Sequence, residues 1–152
     1  AKGGITRFHS VRNALEKVPE GALVAVHDGV RPLVSVSLVK EMFEKAENVN
    51  GLIPVVPCVD TMRVLRKNGE LLEPVPGAVA DRSILYGVQT PQVFQSEILK
   101  EAYAQAYDTA FTDDASVEEK YGKNLSFVAG ERFNIKLSTP DDLKIARALI
   151  EG

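Results

Sequence analysis

The sequence holds a single cysteine, Cys58, among 152 residues, which excludes an intrachain disulfide and a cysteine-based zinc site and fits a reducing cytosol. It has no apolar stretch near the ~20 residues that a membrane span requires. Its first residues, Ala1-Lys2-Gly3-Gly4-Ile5-Thr6-Arg7, show none of the apolar region of a signal peptide. A cytoplasmic location with no membrane partner is therefore expected. Positive charge is not in excess either: 18 Lys+Arg stand against 21 Asp+Glu, a net charge of −3, so no global basic field recommends nucleic acid as a partner. Only 8 residues are Pro and 11 Gly, while 45% are hydrophobic and 26% charged. These proportions exclude a disordered tail and describe one globular domain over 1–152, long enough to bury a sizeable core.

What is present is an alternation of short apolar runs with longer segments of helical period, the pattern of an α/β domain. Ser10 is a candidate cap for a helix whose Val11, Ala14, Leu15 and Val18 share one face, with Pro19-Glu20-Gly21 ending it. Ala22–Val26 reads as a strand, apolar throughout as strands covered on both faces tend to be. A helix follows from Ser35 or Ser37, and Gly51–Pro57 makes a second strand whose prolines place it at a sheet edge or cost it pairing partway along. Met62–Arg66 and Glu70–Val75 flank Lys67-Asn68-Gly69, whose Asn-Gly suits a type I′ hairpin. This ribbon, about 61–84 with its base, should project as an arm. Since isolated ribbons are marginal in water, a second copy of the chain is the expected cover. Ser96 and Thr112 are candidate caps for two further helices. Leu125–Ala129 is strand-like, Asn134–Leu137 is extended, and Thr139-Pro140-Asp141-Asp142 opens a final helix that runs to Gly152.

Ligands of open α/β sheets bind beyond the carboxyl ends of strands. His27-Asp28-Gly29-Val30-Arg31-Pro32 occupies such a place, with a carboxylate able to hold Mg²⁺, a glycine for close approach and a guanidinium suited to phosphate. The same hexapeptide also reads as a plain loop in which Asp28 pairs with Arg31 and His27 satisfies a backbone group. Arg7, Arg82 and Lys136 are further cations in turn or extended sequence, and side-chain alternation puts Asn134 and Lys136 on one face of their segment. Thr112-Asp113-Asp114 has the form of an ordinary helix cap with acids in the first turn. Thr61 and Thr90 are hydroxyls in irregular segments. A Ser-His-Asp triad assembled from Ser10, His27 and Asp60 is disfavoured, because no Gly-x-Ser-x-Gly elbow occurs.

Seven segments, taken together and in order, resemble the 2-C-methyl-D-erythritol 4-phosphate cytidylyltransferase family. They are Gly3-Gly4-x-x-Arg7-x-x-Ser10-Val11, His27–Pro32, Asp60-Thr61-Met62, Arg82, Gln89-Thr90-Pro91-Gln92-Val93-Phe94, Thr112-Asp113-Asp114-Ala115-Ser116 and Asn134-Ile135-Lys136. The resemblance implies a Rossmann-like nucleotidyltransferase sheet with helices on both faces and a projecting β-arm. It implies that Gly4, Arg7 and Ser10 read cytosine and support the nucleotide, and that Asp28, beside Gly29, lies near ribose and a Mg²⁺ ion. Arg31, Thr61, Thr90, Thr112 and Lys136 would surround the methylerythritol phosphate and the reacting phosphates, and Arg82 would reach substrate in the other subunit of a homodimer. CTP is then the co-substrate, and Lys136, Arg31 and Asp28 the catalytic set.

The family's opening strand and glycine-rich CTP loop have no counterpart in this sequence. The expectation is a chain forming the later two-thirds of the enzyme, with an incomplete active site, little activity alone and an exposed sheet edge. A ribitol-5-phosphate cytidylyltransferase is the nearest rival, although Asp60-Thr61-Met62 and Ala115-Ser116-Val117-Glu118 look more like the methylerythritol enzyme. A non-catalytic dimerising fragment is the alternative of another class.

Overall fold

Thr6, rather than Ser10, caps the first helix, α1 (Arg7–Leu15), in the computed structural model, which describes residues 1–151. The reason is Phe8, a buried core residue that the helix must already include. The Thr6 hydroxyl accepts the His9 amide at 3.4 Å, while Ser10 sits inside the first turn and donates its own hydroxyl to the Thr6 carbonyl at 3.0 Å. The elements that follow are β1 (Leu23–Val26), α2 (Val36–Ala46), β2 (Gly51–Pro57), β3 (Leu65–Asn68), β4 (Leu71–Pro74), a 3₁₀ turn (Arg82–Ile84), β5 (Tyr86–Val88) and β6 (Gln92–Gln95). After them come α3 (Ser96–Tyr103), α4 (Asp114–Lys120), β7 (Leu125–Ala129) and α5 (Pro140–Glu151). The expected helix end at Gly152 lies outside the described residues.

β2 is the centre of a mixed sheet, not its edge. It pairs in parallel with β7 along Gly51–Val55, and antiparallel with β6 at Gly51 and Leu52 and with β5 from Val55 to Pro57. The antiparallel ladder breaks at Ile53 and Pro54, where Gln89, Thr90 and Pro91 pass from β5 to β6 through a cis Thr90–Pro91 bond. A proline inside a strand is accommodated by just such an interruption. Ile53 and Phe94 point to one face, where they meet α1, α3 and α4; Leu52 and Val93 point to the other and meet Leu38, Met42 and Ala46 of α2. This is the two-residue period of a strand buried on both sides, and it gives the α/β sheet with helices on both faces. β1 departs from expectation: among the described residues it pairs only with β6, and Ala25 is exposed.

The β3–β4 hairpin stands as its own two-stranded sheet with nearly every position exposed. Its turn is one residue later than expected, because Asn68 pairs with Leu71 and the central residues are Gly69-Glu70. Only Gly69 has a positive φ, 60°, which matches a type II′ turn, not I′. The caps of α3 and α4 shift as well. Gln95 precedes α3, since Ser96 is needed as the acceptor for the Ala22 amide at 3.2 Å. Asp113 caps α4 in a reciprocal box with Ser116, which moves Thr112 out of the helix. Asn134–Leu137 joins no ladder; its Leu137 amide donates to the Val30 carbonyl at 2.8 Å.

Candidate functional site

The carboxyl ends of β1 and β7 and the start of β6 meet at one end of the sheet, because Val26 is the partner of Gln92 and Gly130 donates its amide to the Val55 carbonyl at 2.8 Å. Between the loops that leave these strands lies a cavity of about 280 Å³. Arg7, Asp28, Arg31, Thr90, Thr112 and Lys136 all line it. Six of the residues singled out from the sequence are thus brought together from five separate segments.

Asp28 is the hub. Its Oδ2 lies 3.2 Å from Lys136 Nζ and 3.5 Å from Arg31 Nε, and its Oδ1 lies 4.0 Å from Arg7 Nε. Burial pushes the Asp28 carboxyl up, but the Lys136 hydrogen bond and charge, with Arg7 and Arg31 behind them, outweigh it and hold the group below the usual carboxylate value. The plain-loop pairing of Asp28 with Arg31 is therefore present, inside a larger constellation. Arg31 is fixed further by donating to the Asn134 carbonyl at 2.7 Å and the Val88 carbonyl at 3.4 Å. Lys136 is the least restrained of the three cations, its side chain 52% exposed. The lining carries these three cations against two carboxylates, Asp28 and Asp113, a mildly positive balance.

Thr90, in the cavity lining, also anchors the 27–31 loop. Its hydroxyl oxygen accepts the Asp28 amide at 2.9 Å and pairs with His27 Nδ1 at 2.9 Å, while His27 Nε2 faces the Arg31 carbonyl at 3.1 Å. A carbonyl can only accept, so Nε2 carries a ring proton. Gln89 and Asn134, both buried, anchor the loop bearing Lys136. The Gln89 side chain bridges Glu131 and Asn134, and Asn134 Nδ2 donates to the Thr90 carbonyl at 2.8 Å.

On the opposite wall, Arg7 makes a two-point ion pair with Asp114, 3.0 Å from Nη1 to Oδ1 and 2.5 Å from Nη2 to Oδ2. The Tyr103 hydroxyl donates to the same Oδ1 at 2.5 Å. Burial alone would lower the Arg7 pKa, yet the Asp114 hydrogen bond and charge raise it; burial and then the Asp114 charge push the Tyr103 hydroxyl up. Asp114 is fully buried, so the second acid of Thr112-Asp113-Asp114 is far more than first-turn decoration. Gln92, also fully buried, ties the strand to this helix through Asp113 Oδ2 at 2.8 Å and the Ala115 amide at 3.0 Å. Its signal was present in the sequence: a glutamine inside an apolar strand must find partners.

Gly4 and Ser10 sit beside Arg7 at the start of α1 and touch each other, the Gly4 amide donating to Ser10 Oγ at 2.9 Å. A Cβ on Gly4 would collide with His9 and the Ser10 amide. Gly29 has no such need, since a Cβ there meets nothing within 4 Å. Thr61 and Arg82 do not line the cavity; both lie at the base of the hairpin, where Arg82 donates to the Val59 carbonyl at 3.1 Å. Among the described residues, no group of three or more His, Cys, Asp or Glu could hold a metal ion, and no helix is long and apolar enough to cross a membrane.

The family model described as IspD, 2-C-methyl-D-erythritol 4-phosphate cytidylyltransferase, matches residues 1–152. The enzyme of that name from Phocaeicola vulgatus is 52% identical over 150 residues, and that from Bacteroides thetaiotaomicron 47%; each comparison covers 99% of this chain and 65% of the relative. This chain therefore spans a little under two-thirds of their length. Among solved structures, the enzyme of the same name from Thermus thermophilus superimposes with a TM-score of 0.84 at 35% identity, over 100% of this chain and 73% of that one. The bifunctional IspDF of Campylobacter jejuni superimposes with a TM-score of 0.76 at 30% identity, over 95% of this chain and 35% of that one. On the full-length family match and these identities, the chain belongs to the 2-C-methyl-D-erythritol 4-phosphate cytidylyltransferase family.

Proposed function

We propose that this protein serves transfer of the cytidylyl group of CTP to 2-C-methyl-D-erythritol 4-phosphate in isoprenoid biosynthesis. An oxygen of the sugar phosphate forms a bond to the α-phosphorus of CTP, the bond from that phosphorus to the bridging oxygen breaks, and pyrophosphate leaves. The single observation that carries this reading is the convergence of Arg7, Arg31 and Lys136 on Asp28 in one cavity. The nucleophile is a phosphate monoester, largely ionised at neutral pH because its second pKa is about 6, so no protein base is required. The obstacle is repulsion between two anions, which fixed cations offset by holding both phosphates in line.

In this reading Lys136, half-exposed, and Arg31, held by two carbonyls, bind the sugar phosphate and the reacting phosphates, with Thr112 beside them. Gly4, Arg7 and Ser10 support the cytidine. Asp28 faces the ribose with Gly29, and its carboxylate, now shared with Lys136 and Arg31, would hold Mg²⁺ together with substrate phosphates and water, as that ion is commonly held by one or two carboxylates. When bound, that ion would supply charge neutralisation at the phosphates. Thr61 and Arg82, outside this cavity, serve the second site of a homodimer. Exposed apolar residues near the hairpin base support that assignment, since Ile84, Tyr86, Val88 and Phe127 flank an apolar groove of about 590 Å³. The cytoplasm is the location that suits such an enzyme. The test is pyrophosphate release by the full-length gene product with CTP and each of two polyol phosphates. Methylerythritol phosphate should react at least tenfold faster in kcat/KM, a gap of about 1.4 kcal/mol; faster reaction of ribitol 5-phosphate would overturn the substrate assignment.

A further inference from the structure

Arg7 stands between two carboxylates. Asp114 holds it at two points from within the core, at 2.5 and 3.0 Å, while Asp28 lies 4.0 Å from its Nε on the cavity side. The guanidinium has five N–H donors, and Asp114 takes two of them, one from each terminal nitrogen. What keeps Asp114 itself in place is the Tyr103 hydroxyl and the first turn of α4, both buried. The Arg7 side chain remains 40% exposed, and its short contacts are to Asp114 while Asp28 stays at 4.0 Å.

We propose that Asp114 is a positioning residue that acts through Arg7: it holds the guanidinium flat against the cavity wall and so keeps it from collapsing onto Asp28. The consequence is a division of labour among charges. Asp28 stays with Arg31 and Lys136 on the phosphate side, while the free edge of Arg7, its charge already balanced by Asp114, presents neutralised N–H donors to the nucleotide. Without Asp114, Arg7 would close from 4.0 Å onto Asp28 as a third direct partner beside Arg31 and Lys136, narrowing the space where ligand must enter. Tyr103 contributes by orienting Asp114, one step further back.

The inference rests on the proposed nucleotide transfer for its kinetic effect, though not for its structural one, and the experiment separates the two. Asp114→Asn in the full-length gene product keeps the shape and removes the charge. We expect kcat/KM to fall by about 10²-fold, the scale of an ångström-level misplacement, with KM for CTP raised. A merely structural role would lower the active fraction and kcat while leaving KM unchanged, and that result overturns the proposal. Combining Asp114→Asn with Arg7→Ala should cost no more than the worse single change, whereas losses that multiply would show Asp114 acting independently of Arg7. A crystal structure of Asp114→Asn should show Arg7 turned to within hydrogen-bond distance of Asp28; an unmoved Arg7 refutes the idea whatever the activity. If the wild-type protein turns over no CTP, the functional proposal fails while the crystallographic outcome still decides this one. Tyr103→Phe, which deletes a single hydrogen bond, gives a milder variant should Asp114→Asn not fold, and is expected to raise KM in the same direction; an unchanged KM there overturns the proposal.

Discussion

Replacing Glu118 by glutamine should make the protein more stable at alkaline pH and flatten its dependence on pH. Glu118 lies on α4 with both carboxylate oxygens buried and without a hydrogen-bond partner among the described residues. It fits only because residue 51 is glycine: a Cβ there would run into Glu118, Phe94 and Leu125. Burial pushes the Glu118 carboxyl up to about 7 against an ordinary 4.5, opposed by the charge of Lys123. The folded protein therefore keeps a proton that the unfolded chain releases. Between the unfolded and folded values, stability falls as pH rises, because the native state binds more protons there. At 1.36 kcal/mol per pH unit, the gap between the two values amounts to ~3 kcal/mol, most of it lost between pH 5 and pH 8. Glutamine has nearly the same shape and no charge to release. Urea unfolding of both proteins at pH 5, 6, 7 and 8 would read the difference directly. The stability difference should grow by about 2 to 3 kcal/mol in favour of Glu118→Gln across that range. A difference that stays constant with pH would show that Glu118 ionises normally, and the reasoning from its burial would be wrong.

Arg7→Ala strands the buried Asp114 carboxylate with only the Tyr103 hydroxyl, so unfolding free energy should drop by about 3 kcal/mol, the low end for breaking a buried pair. Asp114→Asn in the same background should restore most of it, as measured by denaturant midpoints. Arg82→Ala in the full-length gene product should lose activity alone, yet recover part of it when mixed with a Lys136→Ala partner under conditions that exchange subunits; no recovery would count against a site shared across a dimer. Asn134→Ala removes the tether between the Lys136 loop and the Thr90 carbonyl, and should cost at least tenfold in kcat/KM, or about 1.4 kcal/mol, with Asn134→Asp failing to rescue it.

The layered fold was legible because apolar periodicity dictates it: β2 runs over Gly51–Pro57 as read from the sequence, and α2 opens at Ser35, one of its two candidate caps. Pro54 was half legible. The loss of pairing follows from its missing N–H, but an interrupted ladder on one side leaves the other side free to pair with β7, and only the tertiary arrangement shows that. Helix caps were misplaced by a few residues wherever a neighbour competed for the same hydroxyl or backbone group, as Thr6 did with Ser10 and Asp113 with Thr112. The cavity residues could be named beforehand because a charged loop after a strand has few other uses, and because motif order pointed to the same positions. Asp114, Gln89 and Asn134 stand in segments singled out from the sequence, yet their structural roles were not legible there, for a common reason. Their importance comes from burial beside a polar partner distant in sequence, Asp114 being 107 positions from Arg7, and no local pattern records such a pairing.

The central claim is that cations gathered at Asp28 let two phosphorylated molecules approach each other. Its most direct test is the single-turnover rate of Lys136→Met in the full-length gene product at saturating CTP and methylerythritol phosphate, with folding verified by its unfolding midpoint. The account predicts a rate lowered by about 10²- to 10³-fold, the loss expected on removing one preorganised charge from a phosphoryl-transfer site. A variant that folds normally and reacts at the wild-type rate would contradict it.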